Sequence, residues 1–233
     1  MAQKNSLIQT LFISYFITGA LELVAIVGDF DFLHHIAKPL LMPMLAMSYW
    51  LVVKNSSREL NWIILISLFF SWLGDVFLMY QVNNPIYFML GLGSFLVAHV
   101  LYIICYVKMS NANEVDKDKR PRLARYDLFI VLIWMTLITV LFPVLGEMKI
   151  PVVLYSMTIT GMALTALHRY QKTTTQSFWM VMGGALIFML SDSMIAINKF
   201  LEPIPLANVL IMLTYIAAQY LIVSGLIKHQ LRS

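Results

Sequence analysis

"NWIILISLFFSWLGDVFLMY", residues 61–80, is almost wholly apolar yet carries an aspartate, Asp75, close to its end. A helix needs roughly 20 predominantly apolar residues to cross the hydrocarbon core of a bilayer. Lipid offers no hydrogen bonds, so a chain inside it satisfies its backbone either as a helix or as a closed barrel. The stretch therefore reads as a membrane-spanning helix, and that reading turns Asp75 into a question. A charged side chain at a helix centre costs about 2.5–3.5 kcal/mol on insertion scales, so an acid there faces the bundle interior or a wet cavity. A second run, "FMLSDSMIAI" at 188–197, repeats the pattern with Asp192.

The rest of the chain has the same character. Of its 233 residues, 60% are hydrophobic and 12% charged, and the mean hydropathy is +0.79. A soluble domain is about half apolar and a quarter charged. The composition points to an all-α, polytopic membrane protein, a single integral membrane domain over 1–233 with little mass outside the bilayer. A net charge of +4 fits basic cytoplasmic loops, and no basic-aromatic surface suggests a nucleic-acid partner. A lone cysteine, Cys105, excludes an intramolecular disulfide and a cysteine-based metal cluster. The first apolar run, about 6–28, is too long for a signal-peptide core and reads as the first span.

Polar breaks divide the chain into eight expected spans, about 6–28, 38–54, 59–80, 86–108, 126–146, 150–170, 177–201 and 205–228. Most breaks are short and carry turn chemistry, such as Asn83-Asn84-Pro85 and Pro203-Ile204-Pro205. The long one, 109–125, separates two four-span halves. Thirteen lysines and arginines then fall on one side, among them Lys54, Lys117, Lys119, Arg120, Arg122, Arg169 and Arg232, against Lys38, Lys149 and Lys199 on the other. The positive-inside rule places both termini in the cytoplasm, at the inner membrane if the source is bacterial. Asp192 stands 117 residues after Asp75, about half the chain, which allows two parallel four-helix repeats.

At ~1.5 Å rise per residue, Asp75 lies about 8 Å from the outer end of its span, Asp192 about 12 Å and Glu22 about 9 Å. Lys38 begins the second span on the same side. Four ionisable groups from four helices thus share the outer half of the membrane. Asp75 and Asp192 are the foremost candidates for chemistry, with Glu22 as a further candidate. His99, Tyr102 and Tyr106 form a stripe at helical spacing, either a packed polar seam or part of a site. Tyr215 and Gln219 share a face at i, i+4. Gly74, Ser71, Ser191, Ser193 and the Gly183-Gly184 pair suit close helix approach. His34 and His35, in a loop beside Asp31, and His168 and His229, at cytoplasmic ends, read as solvated.

The residue types restrict the chemistry. A catalytic zinc wants about three protein ligands, rich in histidine, and His99 alone stands inside the expected bundle, so no metal site is expected unless His34 or His35 folds inward. "GLGSF" at 91–95 lacks the second flanking glycine of a serine nucleophile elbow, and no dinucleotide or phosphate loop is present, so no cofactor is expected. Two carboxylates held close in a low-dielectric site cannot both ionise easily, and one is driven towards its protonated form. Such a pair supplies a general acid and an anionic base, suited to cleavage through an oxocarbenium-like state. It would equally suit a proton-coupled carrier of a lipid or small amphiphile, which is the rival reading.

Five segments, "KPLLMP" (38–43), "SWLGDVFLM" (71–79), "GLGSFLVAHVLY" (91–102), "GALIFMLSDS" (184–193) and "TYIAAQYLIVSG" (214–225), occur in that order. Together they resemble the signature segments of the YhhN family, the lysoplasmalogenases. The resemblance implies an eight-span enzyme that hydrolyses the vinyl ether bond of a lysoplasmalogen, a lysophospholipid drawn from the membrane. The products would be a fatty aldehyde and glycerophosphoethanolamine or glycerophosphocholine. Position by position, the motif residues fall on Lys38, Pro39, Ser71, Gly74, Asp75, His99, Tyr102, Ser191, Asp192, Tyr215 and Gln219. It implies a catalytic pair of Asp75 and Asp192, with the other polar positions binding the substrate or orienting the acids.

Overall fold

The computed structural model describes residues 2–54, 58–111 and 123–231. Every regular element among them is helical. There are eight long helices: α1 (Ala2–Gly28), α2 (Asp31–Val53), α3 (Arg58–Met79), α4 (Pro85–Asn111), α5 (Ala124–Leu141), α6 (Lys149–Leu167), α7 (Thr175–Phe200) and α8 (Ala207–Gln230). All of these except α5 are long and apolar enough to cross a membrane. At ~1.5 Å per residue the 18 residues of α5 reach about 27 Å, just short of a hydrocarbon core of about 30 Å. Segment 112–122, with Lys117, Lys119, Arg120 and Arg122, and the C-terminal Arg232 lie outside the described residues.

The chain divides into two compact units, Met1–Leu101 with Gln230–Ser233, and Tyr102–His229. In the first, α1 packs on α2 and α2 on α3, around fully buried Tyr15, Leu41, Leu45, Tyr49 and Ile64. Buried polar groups between α2 and α3 pair with each other and with backbone, since lipid offers them no hydrogen bonds. Asn61 donates from Nδ2 to the Val53 carbonyl at the end of α2 (2.8 Å) and accepts from the Tyr49 hydroxyl (3.0 Å). In the second unit, α5 and α7 both pack on α6, and α7 meets α8 at glycine. A Cβ on Gly184 would stand 2.7 Å from the Ile222 side chain and 2.9 Å from the Ala218 carbonyl. The outward faces are apolar, with Trp62, Phe69, Phe129, Leu132, Leu154 and Leu190 all exposed. That is the pattern of a bundle whose solvent is lipid.

Several expectations are corrected. α2 begins at Asp31, seven residues before its apolar run, because the Asp31 carboxylate favours the positive helix N-terminus and the Phe30 carbonyl accepts from the His34 N–H (3.0 Å). His34 and His35 are therefore helical and not in a loop. α5 stops at Leu141, ahead of Pro143. Gly183 faces open space, so Gly184 alone of that pair brings helices together. His229 is buried. Arg169, counted in the sequence only as one of the basic residues on the cytoplasmic side, is 0% exposed.

Candidate active site

In the first unit, two of the five signature segments meet through a backbone defect. Pro43 lies inside α2 and has no N–H, which leaves the carbonyl four residues back, on Pro39, without its helical donor. Trp72 fills the gap, its indole Nε1 donating to the Pro39 carbonyl at 2.9 Å. The prolines of "KPLLMP" thus lock α2 to the "SWLGD" stretch of α3. One turn apart on α3 stand Ser71 and Asp75, both buried, with Asp75 3% exposed. Gly74 makes room for α4, since a Cβ there would stand 2.5 Å from the Phe95 ring. Phe95 in turn stacks on His99, ring centroids 6.4 Å apart, and His99 is fully buried.

Glu22 is also fully buried. Its Oε1 lies 2.7 Å from His34 Nδ1, and the His34 side chain is 26% exposed. Its Oε2 has no hydrogen-bond partner. Lys38, one turn along α2 from His34, is partly exposed. The first unit therefore holds Glu22, Lys38, Ser71, Asp75 and His99, and His34 joins them as a residue the sequence reading set aside.

The second unit holds the remaining candidates. Tyr102 donates from its hydroxyl to Gln219 Oε1 (3.1 Å), and Gln219 Nε2 stands 3.5 Å from the Tyr215 hydroxyl. Tyr215 packs edge-on against Phe188 of α7, centroids 5.5 Å apart. Ser191 Oγ donates to the Ile211 carbonyl (3.0 Å), tying α7 to α8. Asp192, partly exposed, accepts at Oδ2 from the Tyr155 hydroxyl of α6. Both line a cavity of about 50 Å³ among α5, α6 and α7.

Tyr155 lies outside the signature segments. Its place near the outer end of the expected span at 150–170, about 8 Å deep, was the one signal available.

Arg169 is a second buried feature of this unit. Its Nη2 donates to Ser177 Oγ (2.9 Å), which passes its own proton to the Gly225 carbonyl (2.7 Å). Its guanidinium stands 5.3 Å from the centroid of the Tyr106 ring. Burial disfavours the charge and lowers the Arg169 pKa, against the opposing pull of Tyr106 and Cys105. Among the described residues no group of three or more His, Cys, Asp or Glu could hold a metal ion.

Known proteins resemble this chain over much of its length. The sequence pattern of the YhhN family matches residues 33–226. Bovine lysoplasmalogenase TMEM86A is 32% identical over 171 residues, 72% of this chain and 66% of that protein. Human lysoplasmalogenase TMEM86B is 30% identical over 181 residues, 78% of this chain and 70% of its own. A lysoplasmalogenase of Mycobacterium tuberculosis is 32% identical over 145 residues, covering 59% and 50%. The match thus spans just under two thirds of the bovine relative and half of the mycobacterial one. No solved structure matches the chain.

Proposed function

The chain belongs to the YhhN family, and on that footing we propose that this multi-pass integral membrane protein is a lysoplasmalogenase. It hydrolyses the vinyl ether bond of a lysoplasmalogen to a fatty aldehyde and glycerophosphoethanolamine or glycerophosphocholine. The observation that carries this reading is the similarity, over most of the chain, to enzymes named for that activity.

The chemistry asks for two carboxyl groups in different protonation states. One, protonated, gives its proton to the alkene carbon distal to the ether oxygen. A C–H bond forms, the carboxyl O–H breaks, and the positive charge is shared between the proximal carbon and the oxygen. The other, ionised, faces that cation and takes a proton from the water that adds to the proximal carbon. The hemiacetal then collapses. Its C–O bond to glycerol breaks as the glycerol oxygen takes the proton that the second group gained from water, the hemiacetal O–H gives its proton back to the first carboxylate, and aldehyde and alcohol leave. Water is the only co-reactant. We assign these two tasks to Asp75 and Asp192.

Lys38, two turns in from the outer start of α2, serves the substrate phosphate, since its long stem can carry the ammonium towards the interface. Ser71 and His99, and Ser191 with the linked Tyr102, Gln219 and Tyr215, bind substrate or orient the acid in their own unit. Glu22, held by His34, is a further member. The same reading has α5 cross the membrane as the fifth of eight spans, with both termini cytoplasmic. The excess of basic residues on that side supports the orientation.

Asp75→Asn and Asp192→Asn each preserve side-chain size while removing the acid. Each is expected to lower aldehyde release by about 100-fold or more, with an unchanged elution profile in detergent. Full activity in either variant would remove that acid from the reaction.

A further inference from the structure

The cavity among α5, α6 and α7 is chemically one-sided. Its walls are apolar, including Ile133 and Leu137 of α5, Ile159 of α6 and Ala196 of α7. The wall hydroxyls have committed their protons to their own helices. Ser156 donates to the Val153 carbonyl (2.8 Å), Thr160 to that of Ser156 (2.7 Å) and Ser193 to that of Met189 (2.7 Å). Trp134 donates its indole N–H to Ser156 Oγ (2.9 Å), so that donor too is occupied. Among the side chains that line the space, Asp192 is the one carboxylate, and Tyr155 donates to it.

We propose that this cavity takes the alkenyl end of the substrate, with Asp192 as the ionised carboxylate that faces the oxocarbenium carbon and Tyr155 as its positioning residue. The inference rests on the lysoplasmalogenase reading and assigns what that reading left open. A hydrogen bond given to the charged form of a carboxylate favours that form. The Tyr155 hydroxyl, donating to Oδ2, therefore holds Asp192 as the anion and directs it.

The lining argues against a headgroup site, because no cationic side chain is available for a phosphate. On the measure by which roughly 10–15 Å³ holds one water, a space of about 50 Å³ admits a short stretch of the alkenyl chain and not a whole lipid tail. The rest of the chain leaves past α5, where Ile133 is 40% exposed on the lipid-facing surface. Entry from the bilayer through that wall brings the bond to the acid without the headgroup having to cross hydrocarbon.

The test uses the full chain in detergent or nanodiscs, with wild-type aldehyde release as its reference. Ala196→Leu reduces the space beside Asp192 and should raise the KM for lysoplasmalogen about tenfold or more. Tyr155→Phe should lower kcat by about tenfold or more with KM nearly unchanged. The infrared difference between wild type and Asp192→Asn at neutral pH should show loss of carboxylate bands and no loss of a protonated-carboxyl band. That third readout needs no turnover, and it stands even if the leucine variant fails to fold. Loss of a protonated-carboxyl band would overturn the assignment of Asp192. An unchanged KM in a folded Ala196→Leu protein would overturn the subsite, and an unchanged kcat in Tyr155→Phe would remove Tyr155. Wild-type protein that releases no aldehyde would instead defeat the lysoplasmalogenase reading itself, while leaving the infrared result to be judged on its own.

Discussion

Glu22 and His34 show what a single residue's place in sequence conveys and what it conceals. The depth of Glu22 in its span marked it as a candidate. Its partner was read as solvated, because a histidine ahead of an apolar run looks like loop. The 2.7 Å contact depends on the start of α2 at Asp31, which swings His34 onto the helix and over α1. Removing the imidazole leaves the buried Glu22 carboxylate without the ring nitrogen it contacts. His34→Ala should therefore lower the melting temperature by roughly a few degrees, measured by thermal unfolding in detergent. A melting point equal to wild type would mean that Glu22 finds another donor.

Arg169 was hidden for the opposite reason. Counted by sequence it is one more basic residue at a cytoplasmic end, and only the folded unit reveals Ser177 and Tyr106 around it. The acids, by contrast, were legible because a carboxylate in an apolar run is costly wherever the helix turns it.

At the scale of elements, the span boundaries followed from hydrophobicity with errors of a few residues. The largest lay where polar residues begin a helix, at α2, or where proline follows one, at α5. The cause of the α2–α3 junction was present in the sequence as an i−4 relation, Pro43 to Pro39, but its donor, Trp72, is set by three-dimensional packing. If that indole serves the freed carbonyl, Trp72→Phe should destabilise the protein by about 1–3 kcal/mol. Its effect should shrink in a Pro43→Ala background, where the backbone N–H at position 43 can serve the carbonyl instead. Chemical unfolding of the four proteins of this cycle measures the coupling, and strictly additive effects would contradict the account.

The two adjacent glycines of α7 give an internal control on helix approach. Gly184→Ala should destabilise by about 1–3 kcal/mol through overpacking against Ile222 and the Ala218 carbonyl. Gly183→Ala meets nothing within 4 Å and should be neutral or stabilising by up to about 1 kcal/mol. Equal effects at both positions would mean that α7 and α8 do not meet at Gly184.

For the whole molecule, composition alone was enough to establish a helical membrane protein, because 12% charge and 60% hydrophobic residues leave no other solvent for so much apolar surface. The family was legible from five ordered segments. What sequence could not supply was the second layer of residues, Tyr155 against Asp192, His34 against Glu22 and Trp72 against Pro39. Each joins groups on different helices at separations that no local pattern records. The same limit applies to the span count, since α5 carries apolar side chains outward yet falls just short of the thickness of the core. A reporter fused to the C-terminus should give a cytoplasmic signal under the eight-span arrangement, and a lumenal or periplasmic signal would contradict it.

The central claim is the reaction, and its most direct measurement compares two substrates on purified protein. A lysoplasmalogen and its fully saturated ether analogue are incubated in parallel, and the organic phase is scored for fatty aldehyde by mass spectrometry. The account predicts one aldehyde released for each lysoplasmalogen consumed and none from the saturated ether, which has no alkene carbon to protonate. Equal cleavage of both lipids would contradict the protonation mechanism. No aldehyde from either lipid, with pH-gradient-driven uptake of the intact lipid into liposomes, would contradict the enzyme altogether.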